Sequence, residues 1–350
     1  MAYKILVLGA SYGSLLGTKL LMAGHDVTLV CRASTAALLN AEGTDVRIKL
    51  RGEAEHRAIL SPDLPGTLTA TAPGDVDLDG YDMVALAMAE PQYASAEIPG
   101  LMARIAAAGL PCLSIMNMPP LPYLRRIPGL DADALTPAFT APEIWAPFEP
   151  GLVTLCSPDP QAFRLPDEKA NVLFVGLPTN FKAAAFADPK HNEMLRQLET
   201  DIAAVTLDGQ DVPVKLRVYD SLFVPFAKWS MLLTGNYRCV EESGVRPIKA
   251  AVHSDAAQSE QIYKAVTAIV ETLGADPGDG VPFAKYAAAA ENLLKPSSVA
   301  RAIDGGAVAI ERVDLLVKLI ADSLGLARPS FDQIAATVEA RLQQNRQKAA

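Results

Sequence analysis

The chain has 350 residues, 50% of them hydrophobic and 20% charged, with a formal net charge of −9. This is the balance of a soluble globular protein, and the acidic excess leaves no basic face to meet a phosphate backbone, which excludes nucleic acid as a partner. No apolar run approaches the roughly 18–20 residues that cross a bilayer, so no membrane partner is expected either.

At about 100–200 residues per domain, the length predicts two domains. A strand beginning at Tyr3 leaves no room for a signal peptide. Four scattered cysteines, Cys31, Cys112, Cys156 and Cys239, form no C-x-x-C and no zinc spacing. The expectation is a cytoplasmic protein with buried reduced thiols and no metal.

Tyr3 to Gly9 (YKILVLG) has the short apolar texture of a strand buried on both faces. Ser14 to Ala23 predicts a helix stopped by Gly24, and Asp26 to Cys31 (DVTLVC) predicts a second buried strand, completing a βαβ unit. YDMVALAM (81–88) and LPCLSIM (110–116) predict further strands around a helix at 94–108. Between Pro119 and Pro189 the chain is proline-rich, and LVTLCS and NVLFVGLP predict antiparallel or mixed additions to the same sheet. A helix at 190–205 and a strand near 212–216 follow. Beyond Val218 only helical patterns remain, at about 218–234, 255–273, 283–294, 298–304, 306–324 and 330–345. The reading is α/β: a doubly wound sheet over residues 1–215, then an all-α domain over 216–350.

The turn GASYGSLLG lies between the first strand and helix, where free backbone N–H groups and the helix dipole favour a dinucleotide pyrophosphate. The usual G-x-G-x-x-G cannot be written over it, since Ser11 stands at the middle glycine and Gly13 comes one residue early. Gly9, Ala10, Ser11 and Gly13 are nonetheless small enough for close approach, with Tyr12 among them, and Ser11 or Ser14 offers a hydroxyl to phosphate. A tight turn without a ligand is the alternative. The second strand ends at Cys31-Arg32 with no acid to bind ribose hydroxyls, and Arg32 suits a 2′-phosphate, so NADP(H) is favoured over NAD(H); a solvated surface arginine is the plainer reading. The histidines are scattered, His25 sits in a helix-to-strand turn with a structural role expected, and neither G-x-S-x-G in context nor H-E-x-x-H occurs. A metal-free, cofactor-dependent reaction is what remains.

GASYGSLLGTKLLMAGHDVTLVCR resembles the opening of the ketopantoate reductase family (2-dehydropantoate 2-reductase), whose loop is one residue longer. SIMNMPP, FAKWSMLLTGN, PSSVARAI and AIERVDLLVKLI resemble four further stretches, which together span most of the chain loosely. The resemblance implies an NADPH-binding Rossmann domain followed by a helical domain of the 6-phosphogluconate dehydrogenase C-terminal type. It places Asn117 and Ala87 beside the cofactor, Lys228 at the catalytic-lysine position, Asn236 and Ser298 at substrate contacts, and Glu311 at the active-site glutamate, with Asn117 also serving catalysis.

The chemistry of those residues agrees. Reduction of a ketone needs a proton donor at the developing alkoxide, and a hydrogen-bonded lysine ammonium supplies one. Lys228 and Glu311 stand in apolar stretches, where a charge needs a cleft or a partner; solvated helix faces are the alternative. Lys228, Leu232 and Asn236 are spaced to share a helix face. Ser298 is either an N-cap or a substrate contact.

Two departures bear on substrate: Ala87 or Met88 replaces a family lysine, and Leu232 a family asparagine. A site lacking those polar groups disfavours ketopantoate and suits a bulkier or more apolar ketone. FTAPEIWAPF (139–148) either closes over such a substrate or covers a sheet edge. The expected function is therefore NADPH-dependent reduction of a small keto acid or ketone, in a chain able to form a homodimer. An opine-type or hydroxy-acid dehydrogenase, or a non-catalytic NADP(H)-binding regulator, are the alternatives.

Overall fold

The computed structural model describes residues 2–349. In the first part of the chain the elements are β1 (Lys4–Leu8), α1 (Tyr12–Met22), β2 (Asp26–Val30), α2 (Ala33–Glu42), β3 (Asp45–Ile48), β4 (Arg57–Leu60), β5 (Leu68–Thr71), β6 (Met83–Leu86), α3 (Ile98–Ala107), β7 (Cys112–Ile115), α4 (Leu121–Leu124), β8 (Val153–Ser157), β9 (Gln161–Phe163), β10 (Val172–Leu177), β11 (Phe181–Ala184), α5 (Pro189–Ala204), β12 (Thr206–Leu207), β13 (Gln210–Asp211) and β14 (Leu216–Tyr219). Helices follow: α6 (Ala227–Met231), α7 (Ile248–His253), α8 (Ala256–Thr272), α9 (Phe283–Ala290), α10 (Ser298–Asp304), α11 (Val313–Ser323) and α12 (Pro329–Ala349).

The main sheet runs β14-β11-β8-β7-β6-β1-β2-β5. From β5 to β8 all neighbours are parallel, whereas β11 runs antiparallel to β8. The central strands are apolar without alternation because helices cover both faces, and Ile5, Leu6, Val7 and Leu8 are all completely buried. Strand order reverses at β1, whose neighbours are β2 on one side and β6 on the other. In an open parallel sheet this switch point opens a crevice at the strands' carboxyl ends.

Two compact units result. One holds the residues up to Met88, Gln92–Arg126 and Glu143–Asp220; the other holds Ala89–Pro91, Ile127–Pro142 and the residues from Ser221. Glu90, 2% exposed, ties the short pieces of the second unit together by accepting the Thr140 backbone N–H and hydroxyl, both at 2.9 Å.

Several expectations are corrected. NVLFVGLP (β10) is not in the main sheet but joins β4-β3-β10-β9, parallel to β3 and antiparallel to β9. The strand expected near 212–216 forms at Leu216–Tyr219, after a small β12-β13 hairpin. The helix expected over 218–234 is broken, and that over 306–324 starts only at Val313, so Glu311 precedes it. Phe139, Trp145 and Phe148 of the 139–148 stretch are all buried, and Trp145 packs on Tyr93 with ring centroids 5.1 Å apart.

Candidate active site

The turn after β1 is shaped by contact with β6. Gly9 has φ of +100°, and a Cβ there would lie 2.7 Å from the Ala87 carbonyl oxygen. Only glycine meets both conditions cheaply. Gly13 is equally constrained, since its Cβ would meet Val7 at 2.7 Å, with the Ala87 side chain 3.7 Å away. Gly9, Gly13 and Ala87 therefore converge at the switch point. Ser11 is the N-cap of α1 and makes no side-chain cap bond, so its hydroxyl does not cover the helix N-terminus, the end of a helix that favours an anion. Ser14 is different: its hydroxyl donates to the Ala10 carbonyl at 2.6 Å and is 2% exposed, so it is spent inside the turn and unsuited to phosphate.

Arg32 is exposed immediately after β2, at the N-cap of α2. Residue patterns missed its companion. Arg164, just beyond β9, donates from Nη2 to the Ala10 carbonyl at 2.6 Å. Although the residue as a whole is exposed, its guanidinium is tucked in: burial, and then the nearby charge of Arg32, lower its pKa, while Cys31 opposes them. Two like charges thus face one region at the end of β2, a disposition that a dianion relieves. Cys31 is half-buried there, whereas Cys112, Cys156 and Cys239 are buried, and none of the four is in a disulfide. Asn117, half-buried, follows the carboxyl end of β7.

In the helical unit, Lys228 is half-buried in α6, beside the Phe226–Trp229 stack with centroids 4.1 Å apart. After Met231 the chain widens into a π-helical turn, Leu232–Asn236, then tightens into a 3₁₀ turn, Tyr237–Cys239. The cause is Tyr286, whose hydroxyl donates to the Met231 carbonyl at 3.2 Å. Further freed carbonyls are met by side chains: Thr234 by Arg238 at 3.2 Å, Gly235 by Cys239 at 3.2 Å and Asn236 by the Ser297 hydroxyl at 2.7 Å. The regular spacing that would set Lys228, Leu232 and Asn236 on one α-helical face is therefore lost. Such π turns are rare and recur at functional sites.

The same segment gathers the later residues. Ser297, not Ser298, caps α10, accepting the Ala300 N–H at 3.1 Å, while Ser298 is exposed at the first helical position. The Tyr237 hydroxyl donates to the Glu311 carbonyl at 2.5 Å and accepts the Val313 N–H at 3.1 Å. Asn236, half-buried, is thus itself bonded to Ser297 and adjoins Tyr237, which is bonded to the Glu311 segment. Arg312 anchors Glu311 from the other side through Asp314 and Glu339; burial pulls its pKa down, but these two carboxylates outweigh it.

The histidines have local partners. His25, 2% exposed, accepts the Tyr3 N–H at 3.2 Å, and His253 meets the Ala287 carbonyl at 3.0 Å. Among the described residues no cluster of three or more His, Cys, Asp or Glu is arranged to hold a metal, and no helix is long and apolar enough to cross a membrane.

No protein-family model and no curated protein matches this chain. Solved structures do. D-mandelate dehydrogenase with NADH and anilino(oxo)acetate is 14% identical over 98% of this chain and 99% of its own, with a TM-score of 0.65. 2-Dehydropantoate 2-reductase from Methylococcus capsulatus is 13% identical over 98% and 97%, at 0.67. A dimeric ketopantoate reductase from Staphylococcus aureus is 13% identical over 98% and 99%, at 0.62. The fold is that of the ketopantoate reductases, from end to end.

Proposed function

We propose that this protein is an NADPH-dependent oxidoreductase that reduces the carbonyl of a small 2-keto acid or ketone. The observation that carries this reading is the turn at the switch point: an uncapped helix N-terminus, Gly9 held against Ala87, and two arginines at the end of β2. These groups fit a dinucleotide. The α1 amides from Ser11 to Gly13 would hold its pyrophosphate, Arg32 and Arg164 a 2′-phosphate, and Ala87 and Asn117 the nicotinamide end. When bound, the reduced nicotinamide supplies the hydride.

The chain's own residues supply the rest. Lys228 would donate a proton to the carbonyl oxygen as charge develops on it, which is where a positioned ammonium accelerates reaction. Glu311 would orient Lys228 or the substrate, and Asn236 would hold the substrate by its amide, with Ser298 as a further contact. We assign the cofactor to residues 1–215 and the substrate groups to 216–350, in a cytoplasmic protein that forms a homodimer.

Leu232 favours a particular substrate class. It stands where a ketopantoate reductase has an asparagine, so it offers no amide to a substrate there. Ala87 brings no positive charge. Ketopantoate is accordingly disfavoured, and a 2-keto acid with an apolar or aromatic substituent is favoured, in keeping with the likeness to D-mandelate dehydrogenase. The test is NADPH binding by fluorescence, then turnover against a panel from ketopantoate to aryl 2-keto acids. Absence of NADPH binding refutes the reading, and faster turnover of ketopantoate than of aryl keto acids refutes its substrate part.

A further inference from the structure

Three arginines of the helical unit are nine-tenths buried: Arg238 at 9% exposure, Arg312 at 8% and Arg341 at 8%. Arg312 pairs with Asp314 and Glu339, and Arg341 with Asp304. Arg238 has neutral acceptors instead: the Thr234 carbonyl at 3.2 Å, the Ser259 hydroxyl at 2.7 Å and the Gln258 amide oxygen at 2.8 Å. A buried guanidinium without a carboxylate is costly, and these bonds occupy only part of its five-donor fork.

A second arginine adds to the imbalance. Arg246 donates from Nε to the Arg238 carbonyl at 2.8 Å. Burial, and then the charge of Arg246, lower the pKa of Arg238, with Asp255 offsetting them in part. The carboxylates nearby are already engaged or peripheral. Asp255 caps α8 by accepting the Gln258 N–H at 2.9 Å, and Glu241, 45% exposed, stands 3.7 Å from Arg246.

Both arginines line one cavity of about 160 Å3, between the 3₁₀ turn, α8 and α12. Gln258, Ser330, Gln333 and Thr337 add amide and hydroxyl donors to it, beside an apolar wall that includes Ile262 and Ile334. A water needs roughly 10–15 Å3 measured this way, so the space admits a small polyatomic ion and not a dinucleotide. None of the residues proposed above for cofactor or substrate lines it.

We propose that this cavity binds a small oxyanion, a phosphate or carboxylate group held by Arg238 and Arg246. Paired guanidiniums in a polar recess are the usual geometry for such groups, because each offers parallel N–H donors to two oxygens. The occupant would bear on the π turn, since Arg238 also holds the Thr234 carbonyl within it.

Thermal unfolding of the full chain in phosphate, malonate or chloride at matched ionic strength reads the site without recourse to activity. The expected result is a saturable rise in Tm of a few degrees over chloride. Phosphate alone acting identifies a phosphate ligand, malonate alone a carboxylate ligand, and both the shared chemistry. Unspecific stabilisation by phosphate instead grows without saturating. Arg246→Gln should raise the midpoint concentration about tenfold or more. Thr337→Val should shift it the same way, and Arg32→Gln should leave it unchanged. No saturable rise, an unchanged midpoint in Arg246→Gln, or loss of the effect in Arg32→Gln overturns the proposal.

Discussion

The Tyr286 hydroxyl donates to the carbonyl of Met231 in the place where an α-helix would supply a backbone N–H. Gly235 makes that possible, because a Cβ at this position would lie 2.0 Å from the same hydroxyl oxygen. One phenol and one missing methyl group thus set the π turn that carries Asn236. Gly235→Ala is expected to destabilise the protein by about 2–4 kcal/mol through overpacking. In a Tyr286→Phe background the penalty should shrink by about 1 kcal/mol or more, since the clashing oxygen is gone. Urea unfolding of the four-member cycle measures this, and strictly additive effects would contradict the arrangement.

Lys19 gives a stability change with a defined pH window. It is 2% exposed, with its ammonium 3.2 Å from the Val212 carbonyl. Burial, then Lys215, push its pKa down from 10.5 to about 7, against the pull of Asp211. Between these values the unfolded chain binds a proton that the folded one does not, so stability rises with pH across the window and is lowest below about pH 7. Lys19→Met should remove that slope. Denaturant midpoints of both proteins at several pH values would show it, and parallel curves would refute it.

The proposed preference for NADPH rests on Arg32 and Arg164. Arg32→Gln should weaken NADPH binding about tenfold to a hundredfold while leaving NADH within a few-fold, because only the 2′-phosphate loses a charged partner. Arg164→Gln should lower the same ratio and also loosen the turn through loss of its bond to Ala10. Equal losses for both dinucleotides would remove the 2′-phosphate role.

Lys228→Ala should lower kcat about 10²- to 10⁴-fold on any carbonyl the parent turns over, the range for loss of a positioned acid. NADPH affinity should stay within a few-fold. Retained turnover would show that another group protonates the product.

Much of the βαβ opening was legible in residue order because its determinants are local. An apolar run, a glycine turn and an amphipathic helix within the first thirty or so residues leave the chain few other arrangements. Arg32 was visible for the same reason, as the first polar residue after a buried strand. Lys228 and Asn236 were singled out through family likeness, whereas the geometry of their helix was not legible, since π and α turns have no distinct periodicity over five residues. Ser297 and Ser298 look alike in sequence, and only the folded chain distinguishes them, by the α10 cap and the bond to Asn236 that Ser297 makes.

By itself, the sequence determined the βαβ opening, the change to an all-helical C-terminal part and the small residues of the turn after β1. These follow from hydrophobic period and steric size, which act between near neighbours. The tertiary structure decided the rest. It placed Arg164 against Ala10 across 154 residues, spent the Ser14 hydroxyl inside the turn, opened a π turn with Tyr286, and left Arg238 buried without a carboxylate. Hydrogen-bond partners and charge balance in a folded chain depend on which distant segments meet, and no local pattern encodes that meeting.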